Sequence, residues 1–353
     1  LDLLDTGLVV GKTFIPTTAA MYRVFRNKWI TPPQAVEADY SGKNIVVTGG
    51  TSGIGEEAAY RFAALGASKV IIAARDVKKG EATKAALGAR LKGRGKDRLE
   101  VCELDMMSYD SVVAFAERVR NLEHVDIVVL NAGTWRTKFH ESDHGWEEDL
   151  QVNTLSNTLL ALLLLPKLKE SKKITGKTPV LEFVNSGLHQ NAVVPPETRT
   201  EPNILAHYNK RENFREGKQY SFSKAFLMYA TTYLAETISS EDVIITSICP
   251  GWVNTNLGRD HFFPGVFVVA FFFILLFMRT PAQGANMVLS GTVQGEKVHN
   301  RFWQHDRIQP ISPILKGEAM KEIGTRIFNE IVAALEAGGQ DMQKALGEAL
   351  ATK

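Results

Sequence analysis

Tyr220 and Lys224 stand four residues apart in the run Tyr220-Ser221-Phe222-Ser223-Lys224. In a helix, positions i and i+4 share one face, so the ammonium would lie one turn from the phenol. A free phenol has a pKa of about 10, roughly three units too high to exchange its proton readily near neutrality. A neighbouring ammonium favours the phenolate, which makes the pair a candidate proton donor and acceptor. The same spacing also arises on ordinary amphipathic helix faces, so the chemistry needs support from elsewhere in the chain.

The first support is a glycine-rich turn. Gly49-Gly50-Thr51-Ser52-Gly53-Ile54-Gly55 lies between the β-rich run Asn44–Thr48 and the helical-period segment Glu56–Leu65. Glycines permit positive φ and close backbone approach, while a helix N-terminus offers unpaired N–H groups and partial positive charge to a pyrophosphate. The spacing is G-x-x-x-G-x-G rather than the G-x-G-x-x-G of longer dinucleotide-binding domains. About twenty residues further on, where an acidic residue would hold a ribose 2′-OH, the run Lys69–Ala73 leads instead into Ala74 and Arg75. A guanidinium can pair bidentately with a 2′-phosphate, which predicts NADP(H) over NAD(H). Lys78 and Lys79 add positive potential nearby.

The elements that position these residues follow from periodicity. Asn44–Thr48, Lys69–Ala73, Leu99–Glu103, Asp126–Leu130, Val180–Asn185 and Val243–Ile248 are Val/Ile-rich runs with little polar alternation, as expected of strands buried on both faces of a parallel sheet. Between them lie segments long enough for crossover helices, such as Glu56–Leu65 and Ser108–Arg120. The prediction is an α/β fold, a doubly wound parallel sheet of Rossmann-like type with helices on both faces. One such domain is expected over residues 41–330, preceded by an extension at 1–40 and followed by a helical tail at 331–353. A polar insertion at 189–219 is expected to wall the pocket in front of Tyr220.

With TGxxxGIG at Thr48–Gly55 and YxxxK at Tyr220–Lys224, the chain resembles the short-chain dehydrogenase/reductase family. Further family motifs follow in order across roughly residues 42–290. Asn131-Ala132-Gly133 matches the motif that lines the cofactor site, and Asn153 the helix asparagine that orders a proton-relay water. Ser186, in Asn185-Ser186-Gly187-Leu188-His189, matches the second serine of the family's VSSxxH pattern, the first being replaced by Asn185. Pro250-Gly251-Trp252-Val253-Asn254-Thr255 is similar to PGxVxT, whose threonine contacts the nicotinamide carboxamide. Asp105 occupies the position that contacts the adenine ring, although helix capping is an equal reading. The resemblance implies hydride transfer between nicotinamide and a carbonyl carbon, with Tyr220 as acid/base, Ser186 on the oxygen, Lys224 tuning Tyr220 and holding the ribose, and Asn153 in the relay. Trp135, His189 and Trp252 are the expected substrate contacts. The layout is similar to the retinol-dehydrogenase-like branch and to reductases of fungal secondary metabolism, which implies a bulky lipophilic ketone or secondary alcohol of polyketide, terpenoid, steroid or retinoid type. A non-redox catalyst on the same scaffold, or an NADP(H)-sensing binding protein, are the alternatives. Family members are often dimers or tetramers.

Composition narrows the partners. Lys plus Arg total 41 against 39 acids, so nothing points to nucleic acid. Cys102 and Cys249 fit no metal spacing, and no metal site is expected. No segment has the order of a secretory leader. An intracellular setting is expected, cytoplasmic or on the cytoplasmic face of a membrane. The uncharged run Phe262–Met278 is interrupted early by Pro264-Gly265 and is short for a spanning helix, which needs about 20 apolar residues. It is open to three readings: a buried or oligomer-interface helix, a lid over a lipophilic substrate, or a segment lying on a membrane.

Overall fold

In the computed structural model, residues 8–10, 13–15, 18–93, 95–261 and 267–351 are described. A short hairpin, β1 (Leu8–Val10) and β2 (Thr13–Ile15), precedes helix α1 (Thr18–Trp29). The central layer then alternates strands and helices: β3 (Asn44–Thr48), α2 (Gly53–Ala64), β4 (Lys69–Ala74), α3 (Val77–Arg90), β5 (Leu99–Glu103), α4 (Tyr109–Arg120), β6 (Ile127–Leu130), α5 (Asn157–Thr175) and β7 (Val180–Val184). After the insertion, with α6 (Pro196–Arg199) and α7 (Ile204–Tyr208), come α8 (Lys218–Thr237) and β8 (Ile244–Ile248). The chain closes with α9 (Phe267–Phe277), α10 (Pro281–Thr292), β9 (Phe302–Gln304), β10 (Arg307–Ile308), α11 (Glu318–Ala337) and α12 (Met342–Leu350).

The eight-stranded sheet has the order β10-β9-β8-β7-β6-β3-β4-β5 and is parallel except at β10. Chain order therefore reverses between β3 and β6, the switch point beyond whose carboxyl ends ligands bind in open α/β sheets. Alternate strand residues feed two cores. Val46, Ile71, Val128, Leu181 and Ile245 face α4, α5, α8, α11 and α12, while Ile45, Val47, Ile72, Ile127 and Val129 face α2, α3 and α10. This burial on both faces is what the unbroken Val/Ile runs encode.

The predicted strands are found within one residue at each end. Two expectations change. The boundary placed at 330/331 falls inside α11, which packs against α8, and α12 packs against α5. Residues beyond 330 therefore complete the core instead of trailing from it. The insertion at 189–219 is mostly short helical turns, with Thr198, Ile204, Leu205 and Tyr208 buried. Of the run Phe262–Met278, residues 262–266 lie outside the described residues, and α9 takes most of the remainder. No helix among the described residues is long and apolar enough to cross a membrane.

Candidate active site

The glycine turn sits at the carboxyl end of β3 and leads into α2. Gly49 and Gly53 take φ of 64° and 58°, a region L-residues rarely adopt. Gly55 has no such conformation, yet a Cβ there would lie 2.5 Å from the Gly49 carbonyl oxygen and 2.6 Å from Asn131 Nδ2. Thr51 precedes Ser52, the N-cap of α2, whose side chain makes no capping hydrogen bond. The first N–H groups of α2, from Gly53 through Ile54, are thus left for an anion. A cradle with no room for a Cβ and an uncapped helix end together fit a dinucleotide pyrophosphate.

Asn131 locks this turn to the end of β6. Its Nδ2 donates to the Thr48 carbonyl at 2.9 Å, and the Thr48 hydroxyl accepts from the Asn131 and Ala132 N–H groups at 2.9 Å each. Ala132 backbone lies against Gly49, and Gly133 lies beside Asn153 and Lys224. Arg75 and Asp105 follow the paired ends of β4 and β5. Arg75 is exposed. Asp105 Oδ1 accepts from Met107 N at 2.9 Å, so the carboxylate at least braces its own turn.

Helix α8 carries Tyr220 and Lys224 on one face, and both are buried. Lys224 Nζ donates to the Val184 carbonyl at the end of β7, 2.9 Å away, and lies 5.9 Å from the centroid of the Tyr220 ring. The Ser186 side chain, two residues after β7, lies near enough to the Tyr220 phenol to influence its proton affinity, and its Oγ accepts from Leu188 N at 3.3 Å. Trp135 stacks on the Tyr220 ring with centroids 4.7 Å apart and planes 19° from parallel. Asn153 lies in a π-helical turn, Leu150–Ser156, that opens into α5. Its Oδ1 accepts from Thr134 N, and its two amide hydrogens go to the Thr134 carbonyl and Ser223 Oγ, each at 2.9 Å. The amide therefore ties the Asn131–Gly133 loop to α8, and both its hydrogens are spent on protein atoms.

Beyond β8, Thr255 packs on the glycine turn: its Cγ2 is 2.9 Å from where a Gly53 Cβ would stand. Val253 packs against Gly284 of α10. The Pro250-Gly251 bend is held by Arg279, which is 3% exposed and therefore needs partners. Its guanidinium donates to the Pro250 carbonyl at 2.9 Å and the Asn27 carbonyl at 3.0 Å, and lies 2.9 Å from His305 Nδ1. Its backbone N–H donates to the Trp252 carbonyl at 2.6 Å. The Trp252 ring meets Phe273 of α9 at 6.1 Å.

A family model described as short chain dehydrogenase matches residues 43–177. The short-chain dehydrogenase/reductase ffsI of Aspergillus flavipes is 34% identical over 322 residues, covering 90% of this chain and 93% of that protein. The chain belongs to the short-chain dehydrogenase/reductase family. A second member, phmF of Phaeosphaeria nodorum, is 32% identical over 337 residues, 95% of this chain and 98% of its own. Among solved structures, an uncharacterised protein from Mycobacterium paratuberculosis superposes with a TM-score of 0.63 at 23% identity, covering 84% of this chain and 95% of that one. A short-chain dehydrogenase from Sphingobium yanoikuyae in complex with NADPH gives 0.54 at 19% identity, covering 81% and 95%. The chain is thus an NAD(P)-dependent oxidoreductase acting on CH–OH or C=O groups.

The electrostatics of this short-chain dehydrogenase/reductase site are dominated by burial. Burial pushes the Tyr220 phenol up from its ordinary value, with the nearby Ser186 side chain pulling the other way. The Lys224 ammonium is itself pushed down by burial, to about 8, while Asp149 partly restores it. In the protein by itself Tyr220 is therefore a protonated acid. Asp149, raised by burial, accepts from Thr134 Oγ1 at 2.8 Å and from Arg136 N at 3.2 Å. It stands four residues before Asn153 and secures the same loop, a spacing that was readable as one helical face.

His189, expected to touch substrate, is corrected. It is fully buried, its Nδ1 is 2.6 Å from the Ser186 carbonyl, and its ring packs edge-on against Phe302. Burial lowers its pKa to about 4, so it is a neutral brace for the Ser186 turn. Trp135 remains half-buried against Tyr220, and Trp252 half-buried against α9. Arg279, Asp149 and Thr134 were not singled out by motif. The one hint for Arg279 was a lone cation closing an uncharged run.

Proposed function

We propose that this protein interconverts a ketone and a secondary alcohol on a bulky apolar substrate, with NADP(H) as the cofactor. What carries this is the buried phenol of Tyr220, one helical turn from Lys224 and with Ser186 nearby, on the same side of the sheet end as the anion cradle at Gly49–Gly55. When bound, the dinucleotide supplies or accepts the hydride. In the reductive direction Tyr220 gives its phenolic proton to the developing alkoxide, and in the oxidative direction it takes that proton back. Ser186 Oγ donates to the same oxygen, stabilising the charge that develops there. Lys224 Nζ, anchored on the Val184 carbonyl, adds positive charge near the phenolate as it forms and would hold the ribose hydroxyls of a bound cofactor. Asn153 keeps Thr134 and Ser223, and with them the floor of the site, in register.

Arg75 supports NADP(H): an exposed guanidinium directly follows β4, and the next residue, Asp76, caps α3 by accepting from Lys79 N at 3.1 Å. Trp135 stacked on Tyr220, together with Trp252 against α9, supports an apolar substrate of polyketide, terpenoid, steroid or retinoid dimensions. Consumption of NADPH and of NADH is to be followed with apolar polycyclic ketones and with small polar ketones. Faster turnover with NADPH and the apolar set supports the reading. Preference for NADH, or product formed without net consumption of either cofactor, refutes it.

A further inference from the structure

Helices α1 and α9 pack on each other and leave a face that the catalytic reading does not use. Lys28 of α1 donates to the Ile274 carbonyl at 3.2 Å and to the Leu275 carbonyl, capping the end of α9, and Trp29 Nε1 donates to the Leu276 carbonyl at 2.9 Å. Phe25 meets Phe277 at 6.4 Å. On the inner side of α9, Phe273 and Phe277 face Trp252 and Phe25. On the outer side, Phe271, Phe272, Leu275 and Leu276 are 61%, 53%, 46% and 40% exposed. Their spacing puts them on one helical face. Tyr22, Trp29 and Ile30 of the adjoining α1 region are also more than half exposed.

We propose that this face docks on the surface of an anionic phospholipid bilayer, with α9 lying in the interface. Eleven helical residues extend only about 16 Å, roughly half the hydrocarbon thickness, so α9 can lie in a bilayer surface but not span it. Charge selects the partner. Neither α1 nor α9 contains an acidic residue, while α1 carries Arg23, Arg26 and Lys28, the two arginines being exposed. A second copy docked through this face would bring the two exposed arginines of each copy together with no acid on α1 or α9 to meet them, whereas anionic headgroups complement them. Trp29 and Tyr22 are residue types that settle at the headgroup level. The contact of Phe273 with Trp252 places the docked helix beside the loop that ends at Thr255, so an apolar substrate dissolved in lipid would meet the protein next to its site.

Flotation of the purified chain with phosphatidylcholine vesicles, with and without phosphatidylserine, tests this directly and needs no knowledge of the substrate. The wild type is expected to float with the phosphatidylserine vesicles and to be partly released by salt. The exposed-site variant Arg23→Glu/Arg26→Glu is expected to lose partitioning by at least ~25-fold, from about fivefold per basic residue. Phe271→Ser/Phe272→Ser/Leu275→Ser is expected to stay unbound to either vesicle. Circular dichroism melts and NADPH affinity serve as folding controls for both variants. A wild type that ignores phosphatidylserine vesicles overturns the proposal. So does a triple variant that folds and floats as the wild type does, or a lipid-free dimer that the triple substitution dissociates.

Discussion

Alanine at Gly55 adds a single methyl group at the tightest point of the glycine turn. The new Cβ would stand 2.5 Å from the Gly49 carbonyl oxygen and 2.6 Å from Asn131 Nδ2. Neither neighbour yields easily, since one is backbone and the other is fixed on the Thr48 carbonyl at 2.9 Å. Gly55 lies inside α2, where alanine is favoured over glycine by about 1 kcal/mol. Overpacking costs about 1–3 kcal/mol, so the net loss of stability is small, at most about 2 kcal/mol. The cradle fares worse: relieving the contact displaces the turn by on the order of 0.5 Å, the tolerance of a preorganised site. Misplacement on this scale lowers NADPH affinity by roughly 10- to 100-fold. Fluorescence titration with NADPH, alongside a thermal melt, separates the two effects. A folded Gly55→Ala protein with unchanged NADPH affinity would refute the placement of the cofactor on this turn.

Two further substitutions probe other parts of the account. Arg75→Ala should lower kcat/KM for NADPH by about tenfold, the worth of a charge-assisted hydrogen bond at an exposed site, and leave NADH nearly unaffected; an unchanged ratio between the cofactors contradicts the role of Arg75. Glu182 in β7 is fully buried, neither carboxylate oxygen has a hydrogen-bond partner, and burial raises its pKa well above the ordinary value. The folded state then holds a proton that the unfolded state releases, so stability falls as pH rises above about 4.5, by about a factor of ten in the unfolding constant per pH unit. Glu182→Gln removes this term, and urea melts from mildly acidic to mildly basic pH should show the wild type losing stability relative to the variant; parallel curves would show the carboxyl to be ionised in the fold.

The sheet was legible because its strands are buried on both faces, and Ile45, Val47, Ile71 and Ile127 write that burial as unbroken apolar runs. Strands β9 and β10 were not, being only three and two residues long, too short to show a period. The site was legible where chemistry demands a residue type at a spacing, as at Gly49–Gly55 and at Tyr220 with Lys224. It was not legible where a side chain acts through tertiary contacts. Arg279 joins Pro250, Asn27 and His305 across more than 250 residues of chain, and no local pattern announces that. His189 misled for the same reason: a histidine in a polar segment reads as exposed, and only the packing of Phe302 shows it buried.

Tyr220 moves the substrate proton on a site that binds cofactor independently of it. Tyr220→Phe keeps the ring that stacks on Trp135 and deletes only the hydroxyl. With an apolar ketone and NADPH, this variant is expected to lose turnover by a factor on the order of 100 or more while its NADPH affinity stays close to the wild-type value. Turnover by the phenylalanine variant at near wild-type rate would contradict it.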